Sequence, residues 1–122
     1  MLIALLVLGG AVGAPARYLA DGFVQSRTRG VFPWGTFAIN MSGSFVLGVV
    51  TGAALYHGLG PLPNAAIGTG FCGAYTTFST FSYETVRLLE EGAVVTASLN
   101  ALASVAVGLV AAAAGIALLA AF

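Results

Sequence analysis

The run Gly73-Ala74-Tyr75-Thr76-Thr77-Phe78-Ser79-Thr80-Phe81-Ser82 holds most of the polar chemistry of this 122-residue chain. It sits inside an apolar stretch of about residues 65–88. Gly68, Gly70 and Gly73 weaken a helix there, and the hydroxyls of Thr76, Thr77, Ser79 and Thr80 can draw the backbone away from regular pairing. A carbonyl freed at membrane depth is tolerated only where it is buried in protein or lines a site. A broken helix at mid-membrane is a common home for an ion in transport proteins. Such carbonyls are hard oxygen ligands, suited to a cation such as sodium. Phe78 and Phe81 share a face if helix resumes there. Their ring edges are positive, so they can meet a small anion without binding it tightly. The run therefore reads as an ion pathway, against the plainer reading that both phenylalanines only pack.

Other polar residues fall on stripes. Thr36, Asn40 and Ser44 recur every four residues and so share one helix face. Asn40 offers two N–H donors and an acceptor, and Ser44 a hydroxyl. Asn100 and Ser104, with Gly108 next in line, repeat the pattern near the C-terminus. Each stripe suits either a hydrated groove or a hydrogen-bonded contact between helices. Glu84 follows Phe81 by about one turn, and Arg17 ends the first apolar stretch. Both suit the mouths of a pathway; the plainer reading is a snorkelling arginine and a solvated carboxylate. Arg87, Glu90 and Glu91 read as an interfacial face. Cys72 is the only cysteine, which excludes an internal disulfide or a thiolate cluster and leaves a packing role. His57 stands alone in a connector. No catalytic triad, metal-ligand spacing or phosphate-cradling loop is present, so nothing supports an enzyme.

The elements that must position these residues are membrane helices. The chain is 59% hydrophobic and 7% charged, with a mean hydropathy of +1.01. A soluble domain is about 25% charged. Four stretches approach or exceed the roughly 20 residues that cross a bilayer: about residues 2–23, 34–56, 65–88 and 93–122. The sequence predicts an all-α integral membrane protein, one four-helix domain over 1–122, with its third helix broken near the middle. The basic region and cleavage site of a signal peptide are missing, so Met1 to Leu19 reads as a retained helix. Pro33 opens the second helix, Asn64 is a candidate N-cap for the third, and Trp34 and Tyr56 bracket the second as interfacial aromatics. Gly48-x-x-x-Gly52, Ser104-x-x-x-Gly108 and Ala111-x-x-x-Gly115 let helices approach closely and favour an oligomer. The zero net charge gives no reason to expect a nucleic-acid partner. Arg27, Arg29 and Arg87 fall on one side of the membrane, a modest bias that places both termini outside.

Three segments, in order and at natural spacing, resemble the small fluoride channels of the Fluc or CrcB family. They are Gly9-Gly10-x-x-Gly13-Ala14-x-x-Arg17-Tyr18; Pro33-Trp34-Gly35-Thr36-x-x-x-Asn40-x-x-Gly43-Ser44-x-x-x-Gly48; and Gly70-Phe71-Cys72-Gly73-x-x-Thr76-Thr77-Phe78-Ser79-Thr80-Phe81-Ser82-x-Glu84. The last is highly specific; the fourth helix matches only in length and character. The resemblance implies an antiparallel, dual-topology homodimer in the plasma (inner) membrane of a prokaryote, a multi-pass protein with two fluoride pathways. It implies a central structural sodium ion held by the backbone carbonyls of Gly73 and Thr76. It assigns Asn40, Thr77, Phe78, Ser79, Phe81 and Ser104 to the fluoride pathway, with Arg17, Ser44, Glu84 and Asn100 at its mouths or in supporting roles. The arginine bias also fits a pair of homologous, oppositely oriented chains; the homodimer is the favoured reading. A small multidrug-type exchanger would need a membrane-embedded carboxylate, and the first helix has no acidic residue before Asp21. A non-conducting helper subunit would leave the hydroxyl run without a purpose.

Overall fold

The computed structural model describes all 122 residues. In chain order the elements are α1 (Leu2–Gln25), α2 (Trp34–Tyr56), α3 (Pro61–Asn64), a π-wound stretch (Ala65–Cys72), α4 (Gly73–Tyr75), α5 (Ser79–Glu90) and α6 (Val94–Ala120). α1, α2 and α6 are each long and apolar enough to cross a bilayer. The backbone stays helical at Asn64, Cys72 and Gly73, so residues 61–75 form one rod. It ends at Thr76, whose backbone is extended (φ −79°, ψ 162°), and helix resumes at Ser79. At 1.5 Å per residue the two halves reach roughly 22 Å and 18 Å, which puts the break near the bilayer centre.

Two expected helix starts shift. The third crossing begins at Pro61 rather than near Ala65, and Asn64 lies inside the helix instead of capping it. Gly60 takes the cap position in extended backbone (φ −69°, ψ 166°), with Pro61 at the first helical position, where its missing N–H is harmless. Pro33 is itself the cap of α2, and its carbonyl accepts from the Phe37 N–H. The π winding is a further departure. Wider i→i+5 turns are rare and gather at functional sites. Here they fall where Gly68 and Gly70 remove side chains that would have to pack.

Helix ends are closed by local polar groups. At the end of α1, the Ser26 hydroxyl donates to the Phe23 carbonyl and the Thr28 hydroxyl to that of Val24. The Arg27 guanidinium lies 3.7 Å from the centre of the Phe23 ring. Phe32, Trp34 and Phe37 cluster at the start of α2, an aromatic group suited to the membrane interface. At the other end of α2, Gly58 adopts φ +69°, and the N–H groups of His57 and Leu59 both donate to the Ala53 carbonyl.

The helices meet through glycine. α2 and α6 form the most extensive interface, α1 lies along the π-wound stretch, and α5 leans mainly on α6. A Cβ on Gly48 would stand 3.0 Å from the Ala112 Cα, and one on Gly115 would stand 2.7 Å from the Val49 nitrogen. The small-residue pairs Gly48/Gly52 and Ala111/Gly115 are thus used inside the chain, between α2 and α6. Large apolar side chains such as Ile3, Val7, Leu102 and Leu109 face outward, as a lipid environment requires.

A Cβ on Gly70 would stand 2.9 Å from the Leu6 carbonyl oxygen and 3.3 Å from the Gly9 Cα, whereas one on Gly22 would meet nothing within 4 Å. Gly70→Val is therefore expected to destabilise the protein by about 1–3 kcal/mol, read as a lower thermal midpoint in detergent. Gly22→Ala should leave the midpoint in place. Equal midpoints for Gly70→Val and the parent would contradict this packing.

Candidate functional site

The site is built around the break. Once Thr76 turns extended, the Thr77 N–H can no longer close a helical bond. It donates instead to Asn40 Oδ1 at 2.9 Å, and Asn40 Nδ2 donates back to the Thr77 carbonyl at 3.0 Å. One side chain from α2 thus satisfies both backbone groups of a buried residue, 8% exposed. Left unmet, each group would cost about 1–3 kcal/mol. The Thr77 hydroxyl then starts α5: it accepts from the Thr80 N–H at 3.2 Å and donates to the Thr80 hydroxyl at 3.1 Å. Ser79 Oγ lies 3.4 Å away.

α2 also holds the end of the first half-helix. Ser42 Oγ and the Tyr75 hydroxyl are 2.9 Å apart. Gly43 gives the Thr76 methyl group room to sit against the helix. Thr76 turns its hydroxyl back on the Cys72 carbonyl at 2.7 Å, and its N–H uses the same acceptor. The Thr77 N–H, which would close on Gly73 in a continuous helix, is taken by Asn40, and no side chain or non-helical N–H donates to the carbonyls of Gly73, Ala74, Tyr75 or Thr76. Gly73 is exposed on the surface of the single chain and Thr76 partly so.

A cleft of about 320 Å³ lies against the break. Asn40, Ser44, Gly73, Thr76, Thr77 and Phe78 line it, together with Gly43, Leu47, Gly68 and Cys72. Six of the residues singled out from sequence therefore meet in one place. Phe78 is 79% exposed, and its ring lies 5.9 Å from that of the part-buried Phe81, tilted by 43°. Phe78 precedes the resumed helix and Phe81 lies on its first turn.

The remaining candidates lie elsewhere. Glu84 lines a second cleft of about 440 Å³ with Gly35, Trp34, Thr80, Tyr83 and Arg87, toward the arginine-bearing end. Its Oε1 is buried without a hydrogen-bond partner. Arg87 pairs with Glu91 at 3.6 Å, an exposed pair of little weight. Arg17 is part-buried and lines neither cleft. Asn100 is 1% exposed and donates to the Thr85 hydroxyl at 2.8 Å, which ties α6 to α5. Ser104 is part-buried one turn further along. Ser42 and Thr85 were not singled out from sequence, and Tyr75 and Thr80 entered only as members of the polar run. Thr85 could have been found, since it stands one turn after Phe81. Ser42 could not, being off the stripe of Thr36, Asn40 and Ser44. No group of three or more His, Cys, Asp or Glu side chains is placed to hold a metal ion, so the oxygens offered to a cation here are neutral ones, from backbone carbonyls, amides and hydroxyls.

The family model described as "CrcB-like protein, Camphor Resistance (CrcB)" matches residues 4–116. The chain belongs to the CrcB family. Its relatives include the Fluoride-specific ion channel FluC 1 of Streptomyces avermitilis, 59% identical over 113 residues that cover 92% of this chain and 91% of the relative. The FluC 1 of Frankia casuarinae is 49% identical over 122 residues, covering 93% and 92%. The Fluoride-specific ion channel FluC of Geobacter sulfurreducens is 51% identical over 108 residues, covering 88% and 87%. The CrcB family is one of ion channels rather than enzymes, and this member is a multi-pass protein of the plasma membrane.

The Thr77 hydroxyl caps α5 by accepting from Thr80. Thr77→Val is expected to lower stability by about 0.5–2 kcal/mol, measured by thermal unfolding in detergent, while Thr77→Ser retains the parent value. A Thr77→Val protein as stable as the parent would show that the hydroxyl does not cap α5.

Proposed function

We propose that the protein is a fluoride-selective channel that lets the ion leave the cytoplasm passively, working as an antiparallel homodimer with two pathways. Fluoride is small and strongly hydrated, so a pore must replace its water with donors. The break supplies several: the second N–H of Asn40, the Ser79 hydroxyl and the positive ring edges of Phe78 and Phe81, with the Ser104 hydroxyl added from α6. Ring edges bind weakly enough for the ion to leave, which conduction demands. In acid, HF crosses the membrane and dissociates inside, and a passive channel drains the trapped anion. The curated relatives carry the fluoride-channel name, which supports the same ion here.

The observation that carries this reading is the broken third crossing, with Asn40 holding the break and the carbonyls from Gly73 to Thr76 left without donors. Carbonyls at membrane depth do not face lipid, and these lie on the surface of one chain. A second copy and a cation would cover them. In our reading the carbonyls of Gly73 and Thr76 hold a sodium ion that fixes the two copies structurally. Their donor set fits: neutral, hard oxygens with no competing hydrogen bond. A pairing of two homologous chains would satisfy the same carbonyls.

Purified protein in liposomes is expected to release fluoride once an ionophore shunts the charge, and to hold back chloride. Phe78→Ala and Phe81→Ala should each slow release by about tenfold, equivalent to raising the barrier along the path by about 1.4 kcal/mol. The dimer should stay intact by size-exclusion chromatography. No fluoride release, or equal passage of chloride, would overturn the channel reading. Unchanged rates in both variants would take the two rings out of the pathway.

A further inference from the structure

We infer that Asn100 is a positioning residue for Phe81 rather than a wall of the fluoride pathway; this rests on the channel reading above. The connection is a relay. Asn100 Nδ2 donates to Thr85 Oγ1 at 2.8 Å, and Thr85 Oγ1 donates to the Phe81 carbonyl at 2.8 Å. The Thr85 hydroxyl has one proton, so accepting from Asn100 aims that proton at Phe81. A threonine that bonds back four residues bends its helix locally, so the relay acts on the backbone that carries the Phe81 ring.

The setting makes this control strong. α5 starts abruptly after the break and leans mainly on α6. Phe81, Thr85 and Leu88 recur at i, i+4 and i+7, one face of α5. Ala97 and Asn100 lie three apart on one face of α6, and both are 1% exposed; Leu88 is 5% exposed. Asn100 is the one polar side chain of α6 buried to that degree. Its Oδ1 has no hydrogen-bond partner, so the amide is held there by its donor alone. An apolar residue of similar size would fill the space without leaving an acceptor unmet. The amide therefore serves the hydrogen bond to Thr85 and, through it, Phe81. Because α5 and α6 run antiparallel across a short turn, Ser104 falls one turn nearer the Phe81 level and keeps its pathway role.

The test uses 4-fluorophenylalanine placed at position 81, or at position 71 as a control, in the full-length protein in detergent or bilayer. The Phe71 ring stacks on Tyr75 away from the relay, at 5.5 Å. Asn100→Leu and Thr85→Val should each shift or broaden the position-81 fluorine resonance and leave the position-71 resonance in place. The double variant should go no further than either single one, and Thr85→Ser should restore the parent spectrum. Fluoride efflux should fall by about fivefold in both single variants, the factor expected for removing one hydrogen bond. A position-81 resonance that ignores both substitutions overturns the inference. So do effects that add, or resonances at 81 and 71 that move together, which would mark general loosening. If the parent protein passes no fluoride, the channel reading fails while the fluorine spectra still decide the relay.

Discussion

Two hydrogen bonds between the Asn40 side chain and the backbone of Thr77 allow the third crossing to break without stranding buried polar groups. A membrane helix satisfies its own backbone, and an interruption leaves donors and acceptors that lipid cannot meet. Asn40 meets the pair at Thr77, the Thr77 hydroxyl accepts from the Thr80 N–H in the first turn of the resumed helix, and the carbonyls before the break stay open. Polarity is thereby sorted along the chain. Bare oxygens gather on the side of Gly73 and Thr76, and hydroxyls and ring edges gather on the side of Phe78 and Ser79. In the proposed channel, a single amide would separate the carbonyls assigned to a cation from the path assigned to an anion.

The rest of the fold sets the distances at which that amide can act. Asn40 reaches Thr77 only because the half-helix 61–75 is pressed onto α2 and α1, and glycine makes this approach possible. Gly43 receives the Thr76 methyl, and Gly9 and Gly70 bring two backbones together. On the far side of the break, α5 is steadied by α6 through Leu88, Ala97 and the Asn100–Thr85 hydrogen bond. The large apolar residues outside this frame, among them Leu102 and Val110, are left to lipid. The charged residues collect mainly toward one end, where Arg27 covers Phe23 and Arg87 meets Glu91.

Much of this was legible in the sequence because membrane insertion leaves coarse marks. Hydropathy located the crossings, and the hydroxyl run with its glycines located the break. The four-residue spacing of Thr36, Asn40 and Ser44 put Asn40 on one face with two other polar groups. Spacing could not say that Asn40 turns that face to the backbone of Thr77, since a stripe does not name its partner. The π winding of Ala65–Cys72 was hidden for a similar reason: it follows from how α1 and α2 press on Gly68 and Gly70. Asn64 looked like a cap because its type suits one, but Pro61 had already begun the helix. Asn100 shared a stripe with Ser104, and only burial separated the two: one is enclosed against Thr85, the other only partly covered.

Amide hydrogen exchange at Thr77 tests most directly whether Asn40 holds the break. In the parent protein the Thr77 N–H should exchange slowly despite lying outside any helix, because Asn40 Oδ1 accepts it. In Asn40→Leu, of similar size and without the acceptor, it should exchange at least about tenfold faster, while amides within α2 keep their protection. A Thr77 amide that exchanges quickly in the parent, or equally slowly in both proteins, would show that the break is held by something other than Asn40.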